Sequence, residues 1–127
     1  MLKKAQLWEK GEGTTVQCKL CAHRCTIKEG KFGICGVREN QEGTLYTYVY
    51  GILIALHVDP IEKKPLYHFL PSSLSYSIAT IGCNFKCGFC QNWRISQVSA
   101  KALEKEDTME TSPEDIVENA LNSNCKS

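Results

Sequence analysis

The chain has 127 residues, enough for one domain or for a small module plus part of another. Fifteen basic and 14 acidic side chains give a formal charge of +1, without the basic excess that wholesale nucleic-acid binding needs. The longest apolar stretch, Gly51-Ile52-Leu53-Ile54-Ala55-Leu56, is far too short to span a bilayer, and Met1-Leu2-Lys3-Lys4-Ala5-Gln6 lacks the apolar run of a signal peptide, so a cytoplasmic chain is expected.

Residues 1–17 mix charge with Leu7 and Trp8, and read as a short helix or arm ending near Gly11 and Gly13. Residues 18–36 form a cysteine-rich knot with Gly30, Gly33 and Gly36 at its turns. The knot has too few apolar residues for a core of its own, so a metal is expected to organise it. Residues 44–50 are β-branched, aromatic or apolar and predict a strand; Asn40-Gln41-Glu42-Gly43 reads as the turn that pairs it with Val37-Arg38-Glu39. A further strand is expected over 52–58. Asp59-Pro60 and Pro65 then break the chain, and 59–73 should be an extended connection. Residues 75–81 read as a buried strand that Gly82 ends. Ser112-Pro113-Glu114-Asp115 is a helix start: Ser112 can cap, Pro113 suits the first helical position, and the two acids face the positive first turn. Ile116, Val117, Ala120 and Leu121 follow as an apolar stripe at helical spacing.

Eight cysteines are the outstanding number. In a reducing compartment they point to metal thiolates rather than disulfides. Seven fall into two groups: Cys18, Cys21, Cys25 and Cys35, then Cys83, Cys87 and Cys90. Cys125 stands apart as a half-buried small hydrophobe. The second group, Cys83-Asn-Phe-Lys-Cys87-Gly-Phe-Cys90, is a C-x3-C-x2-C string. Three thiolates converge within so short a stretch only if the chain wraps around something, and Gly82 and Gly88 permit that. Structural zinc takes four protein ligands, and only three are here. Three thiolates suit a four-iron cluster with one iron open, and an electron-transfer cluster would use four. An open iron can take the amino and carboxylate groups of S-adenosylmethionine (SAM). Reductive cleavage of the sulfonium then gives a 5′-deoxyadenosyl radical, with the protein supplying geometry and exclusion of water.

Those residues resemble the signature of the radical SAM superfamily: C-x3-C-x2-C with an aromatic, Phe89, before the last cysteine, after a strand ending in glycine. The longer string Tyr76-Ser-Ile-Ala-Thr-Ile-Gly-Cys-Asn-Phe-Lys-Cys-Gly-Phe-Cys-Gln-Asn-Trp93 is similar to the radical SAM component of the AmmeMemoRadiSam system, a branch related to pyruvate formate-lyase activating enzymes. Asp59-Pro-Ile-Glu-Lys-Lys-Pro-Leu-Tyr-His-Phe69 and Cys18-x2-Cys21-x3-Cys25 look like the same branch, so the resemblance covers nearly the whole chain. It implies Cys83, Cys87 and Cys90 as ligands of a [4Fe–4S] cluster, with the backbone around Phe89 near the SAM adenine. It also implies an electron donor such as flavodoxin or ferredoxin, and a substrate that is a protein if the activating-enzyme likeness extends that far. The implied fold is α/β. Residues 1–72 would be a cysteine-rich, β-hairpin module, and residues 73–127 the first strand, cluster loop and first helix of a partial parallel (β/α) barrel. Further barrel strands, and the segment that binds the SAM amino group, are expected beyond Ser127. The chain is therefore expected to be an N-terminal piece that does not catalyse alone.

The first group, Cys18-x2-Cys21-x3-Cys25-x9-Cys35, supplies four thiolates. Structural zinc, a second iron–sulfur cluster and four packed reduced thiols are all compatible with that spacing. His23 can replace one ligand, although a solvent-facing role is the simpler one. Glu62-Lys63-Lys64 reads as a solvated charge run, with a phosphate or partner contact as the alternative. His57 and His68, flanking it, are expected to be structural. Asn84, Gln91 and Asn92 are expected to satisfy loop backbone, and Trp93 to be a core or lid residue. The competing function is a zinc-binding interaction or nucleic-acid module built on both cysteine groups; the missing fourth cysteine in the second group weighs against it.

Overall fold

A computed structural model describes residues 2–105 and 108–127 of the chain. Residues 2–17 carry short strands rather than a helix or arm. β1 (Lys3–Lys4), β2 (Trp8–Lys10) and β3 (Val16–Cys18) lie either side of turns at Leu7, whose φ is +56°, and Gly13, whose φ is +59°. Left-handed backbone at these points ends any helix. β3 pairs antiparallel with both β2 and β4 (Thr26–Ile27). A second antiparallel sheet runs β1, β6 (Thr44–Thr47), β5 (Arg38–Gln41). The β5–β6 turn is Glu42-Gly43, with φ of +50° and +76°. Positive φ at both central residues matches the twist of a two-residue hairpin, and glycine takes it without strain.

These sheets enclose one small core of Ala5, Val16, Cys18, Ile27 and Leu45, with Trp8 and Cys25 against it. The cysteine knot therefore does not depend on metal alone; it borrows a core by contributing Cys18, Cys25 and Ile27 to its neighbours' apolar faces. Asn40, on β5, is the polar centre of this region and has no exposed surface. Its Nδ2 donates to the Thr14 carbonyl at 2.7 Å and the Ile27 carbonyl at 2.8 Å, and its Oδ1 accepts from the Gly43 N–H at 2.9 Å.

The strand expected over 52–58 is split into β7 (Ile52–Leu53) and β8 (Ala55–Pro60). β8 pairs antiparallel with β9 (Leu74–Ala79), in register from Ala55 opposite Ala79 to Pro60 opposite Leu74. The two proposed segments, 1–72 and 73–127, are thus joined through this ladder. Between the strands, a 3₁₀ turn at Ile61–Lys63 buries Ile61. After β9 come the cysteine loop, a single helical turn α1 (Trp93–Ser96), a 3₁₀ stretch (Ala100–Lys105), β10 (Met109–Glu110) paired with β7, and α2 (Pro113–Asn122). α2 starts on a capping box: Asp115 N–H donates to Ser112 Oγ at 3.0 Å, and Ser112 N–H to Asp115 Oδ2 at 3.2 Å. Ile116 and Ala120 are half-buried, while Val117 and Leu121 are exposed.

All named strand pairs are antiparallel. The chain beyond α2 behaves differently. Cys125 forms a parallel bridge with Leu74, Lys126 N–H donates to the Leu74 carbonyl at 2.9 Å, and Tyr76 N–H donates to the Ser127 carbonyl at 2.8 Å. Residues 125–127 therefore lie alongside β9 in the same direction, reached through α2. Half-buried Cys125 helps seat that contact. Among the described residues no helix is long and apolar enough to cross a membrane.

Replacing Asn40 with Ala strands two carbonyls and one N–H in the core. The Asn40→Ala variant should lose roughly 2–4 kcal/mol in urea unfolding monitored by far-UV circular dichroism, with no comparable loss for Gln41→Ala on the same strand.

Candidate metal centre

Cys83, Cys87 and Cys90 lie on one loop that leaves the C-terminal end of β9. Its neck is closed where Gly82 N–H donates to the Ile95 carbonyl at 3.0 Å. Gly82 has φ of +82°, and a Cβ there would lie 2.5 Å from Val37 Cγ1 and 2.7 Å from the Cys35 carbonyl oxygen. Only glycine lets the neck sit this close to the first cysteine group. Above the neck, Cys83 and Cys90 are half-buried and Cys87 is exposed. Phe85 N–H donates to Cys83 Sγ at 3.4 Å, and Cys90 N–H to the Cys87 carbonyl at 3.3 Å. Cys90 Sγ and Ser96 Oγ are hydrogen-bonded at 3.3 Å, with either able to donate, and Ser96 Oγ also accepts from Gln97 Nε2 at 3.0 Å. Gln97 Oε1 also accepts from Lys86 Nζ at 3.1 Å.

Three thiols on one closed-neck loop, two of them with nearby hydrogen-bond donors, fit the donor set of an iron–sulfur cluster, whose sulfurs are tuned by such bonds. Among the described residues no three His, Cys, Asp or Glu side chains converge on a single point where a metal ion would sit. The rim is apolar and open: Phe89 is 89% exposed, and Phe85 and Trp93 are also exposed, so Trp93 is not a core residue. The Arg94 guanidinium lies 5.7 Å from the centre of the Trp93 ring. Of the loop's polar residues, Asn84 contributes its backbone carbonyl, which accepts from His23 Nε2 at 2.7 Å.

The first group lies against this loop. Cys18, Cys21, Cys25 and Cys35 line one pocket of about 390 Å³, and Cys83 belongs to its far wall. Cys18 is buried and accepts from Arg38 Nη1 at 3.4 Å; Cys21, Cys25 and Cys35 are half-buried. His23 is exposed and edge-on to Phe85, with ring centres 6.5 Å apart.

The lysine run is not free charge. Lys63 Nζ at 2.8 Å, Lys64 Nζ at 3.1 Å and Ser77 Oγ at 2.8 Å all donate to the buried Asp59 carboxylate. The bonds from Lys63, then Ser77 and Lys64, hold that carboxyl well below the ordinary carboxylate range. Asp59 thereby ties β8, the 3₁₀ turn and β9 together near the start of β9, opposite Ser75, at the other end of the ladder from the cysteine loop. His57 and His68 are exposed. Ser96, Gln97 and Asp59 carry no metal-ligand spacing, and only the short distance of Ser96-Gln97 from Cys90 could have singled any of them out; His23, which the spacing offered as a ligand, instead bonds the loop backbone.

Compared with curated proteins, the chain is similar to two uncharacterized proteins of Methanocaldococcus jannaschii. It is 45% identical to one over 124 residues, covering 98% of this chain and 36% of that protein. It is 39% identical to the other over 82 residues, covering 64% of this chain and 19% of that protein. The chain thus spans about a third of the length of one relative and a fifth of the other. No protein-family profile matches, and neither does any solved structure.

Two outcomes follow from this geometry. Gly82→Ala forces a Cβ into Val37 and the Cys35 carbonyl at a left-handed φ. It should cost about 2 kcal/mol or more, read by urea unfolding, and raise amide exchange across residues 82–95. Asp59→Asn should lower Tm at neutral pH. Because the folded Asp59 carboxyl is more acidic than the unfolded one, its stabilisation is present above the unfolded value and lost as pH falls towards the folded one. The Tm gap between the two proteins should therefore narrow from pH 7 to about pH 3, followed by differential scanning calorimetry.

Proposed function

We propose that this chain is the cluster-binding portion of a radical SAM enzyme, with Cys83, Cys87 and Cys90 holding a [4Fe–4S] cluster that leaves one iron open to SAM. The observation that carries this reading is the placement of the C-x3-C-x2-C loop: it leaves the C-terminal end of β9, a strand joined through α2 to a parallel neighbour. In folds built from β–α–β units, ligands gather at the C-terminal ends of the strands. The count of three thiols supports an open cluster, because a closed site would need a fourth ligand.

When bound, the cluster and SAM supply a 5′-deoxyadenosyl radical able to abstract hydrogen from a substrate. The chain's own residues hold and shape the loop. Phe85 N–H and the Ser96 hydroxyl stabilise sulfur charge, and Gln97 fixes Ser96. Phe89 and its neighbours present an apolar rim for the adenine. Electrons come from a small carrier of the flavodoxin or ferredoxin kind. Substrate choice belongs to the rest of the longer protein.

Anaerobic reconstitution of the chain with iron and sulfide should give brown protein with roughly four irons. Cys87→Ala should remove that iron and the colour. Protein that stays colourless and takes up only zinc would sink the reading in favour of a zinc module.

A further inference from the structure

We propose that Cys18, Cys21, Cys25 and Cys35 form a second, closed metal site that takes zinc, and that this site braces the base of the 83–90 loop. The site stands on its own residues and does not depend on what the loop binds.

The four cysteines come from separate turns and strand ends, yet all four line one pocket. Cys18 ends β3, and Cys25 immediately precedes β4. The strand pairing fixes their separation, and Cys18 N–H donates to the Cys25 carbonyl at 2.9 Å. Between them a tight turn, closed by Arg24 N–H to the Cys21 carbonyl at 3.2 Å, carries Cys21; Arg24 adopts φ of +47° just before Cys25. A second turn, closed by Gly36 N–H to the Gly33 carbonyl at 2.9 Å, carries Cys35. A Cβ on Gly33 would lie 3.8 Å from Cys25 Sγ, so the two walls are already close.

The chemistry of the pocket agrees with its shape. Arg38 aims a cationic N–H at Cys18 Sγ, the kind of outer-shell contact that a metal-bound thiolate accepts. Thr80 Oγ1, on the opposite wall, is buried with no protein partner. His23 is excluded as a ligand through Nε2, because that nitrogen donates to the Asn84 carbonyl. Four cysteines and no open position are the ligand set of structural zinc, and the C-x2-C and C-x3-C steps fall within its usual spacing. The four cysteines line the pocket, but among the described residues no three such side chains meet as a ready ligand set; drawing four thiolates onto one point is what the ion itself does.

The far wall gives the site its role. Residues 80–84 form it, and Cys83 is among them. The Cys35 carbonyl and Val37 press on Gly82, the Gly36 carbonyl accepts from Ala100 N–H at 2.9 Å, and His23 holds Asn84. An ion that fixes Cys21 and Cys35 therefore fixes the surface on which the loop's neck rests.

The test uses the full chain, with metal content measured after zinc titration and Co²⁺ as the optical probe. Roughly one zinc per chain and the intense visible bands of tetrahedral thiolate-bound cobalt are expected. Cys21→Ser and Cys35→Ser should each abolish both, while Cys87→Ala should leave both intact. Chelating the zinc should raise amide exchange at residues 82–85 at least tenfold. His23→Ala should raise it there with zinc retained. The zinc assignment is overturned by an octahedral or absent cobalt spectrum in the unmodified chain, by zinc surviving Cys21→Ser, or by iron that Cys21→Ser removes and Cys87→Ala does not. Exchange at 82–85 that ignores zinc removal overturns the bracing role. Failure of iron to bind at Cys87 bears on the loop alone and leaves the zinc result to be read separately.

Discussion

The Asn40 carboxamide is sealed from water and bonded through both its polar atoms, to the turn at Thr14, to β4 at Ile27 and to the hairpin turn at Gly43. Among the described residues, no other side chain bridges so many separate pieces of the first half. The apolar core around it is small, a handful of residues, and buries too little surface to define a unique arrangement of six short strands. A buried amide with every partner in place supplies what the core lacks, because each alternative arrangement leaves polar groups unsatisfied. Asn40 thus fixes where β4 lies relative to β5, and with it where Cys25 lies relative to Cys35.

Two cysteine groups that look alike in composition end in opposite surroundings. The first is embedded: Cys18 and Cys25 pack with the apolar core, and a guanidinium bonds the deepest sulfur. The second is held only at its neck and by a few polar bonds, with a hydrophobic rim facing outward. An embedded, closed set of ligands suits a permanent structural ion. A loop held at its base and open on its face suits a centre that must meet another molecule. The ionic knot at Asp59 stands apart from both groups, at the other end of the β8–β9 ladder, where Lys63, Lys64 and Ser77 draw the 3₁₀ turn and β9 onto one carboxylate.

Local chemistry was the part most legible in the sequence. The start of α2 could be read because Ser112, Pro113 and Asp115 satisfy the first turn among themselves. The β5–β6 hairpin was legible too, although the turn read over Asn40–Gly43 narrows to Glu42-Gly43, because Asn40 and Gln41 pair with Leu45 and Thr44. Strand β1 was not, because Lys3 pairs with Thr47, far along the chain, and nothing near Lys3 records that. The strand over 52–58 was read whole but divides at Ile54, where one half pairs with β10 and the other with β9. The same limit applies to the site. The thiols could be grouped by spacing, whereas His23 at Asn84, the paired lysines at Asp59 and the contact of Gly82 with Cys35 are all products of tertiary approach.

That last contact leaves one position no freedom of side chain. With no room between Gly82 and the Cys35 carbonyl, the two segments share one steric boundary. Because the Cys35 side of that boundary is a backbone carbonyl, which no substitution removes, the demand falls on position 82, where any Cβ would displace Val37 or the chain itself.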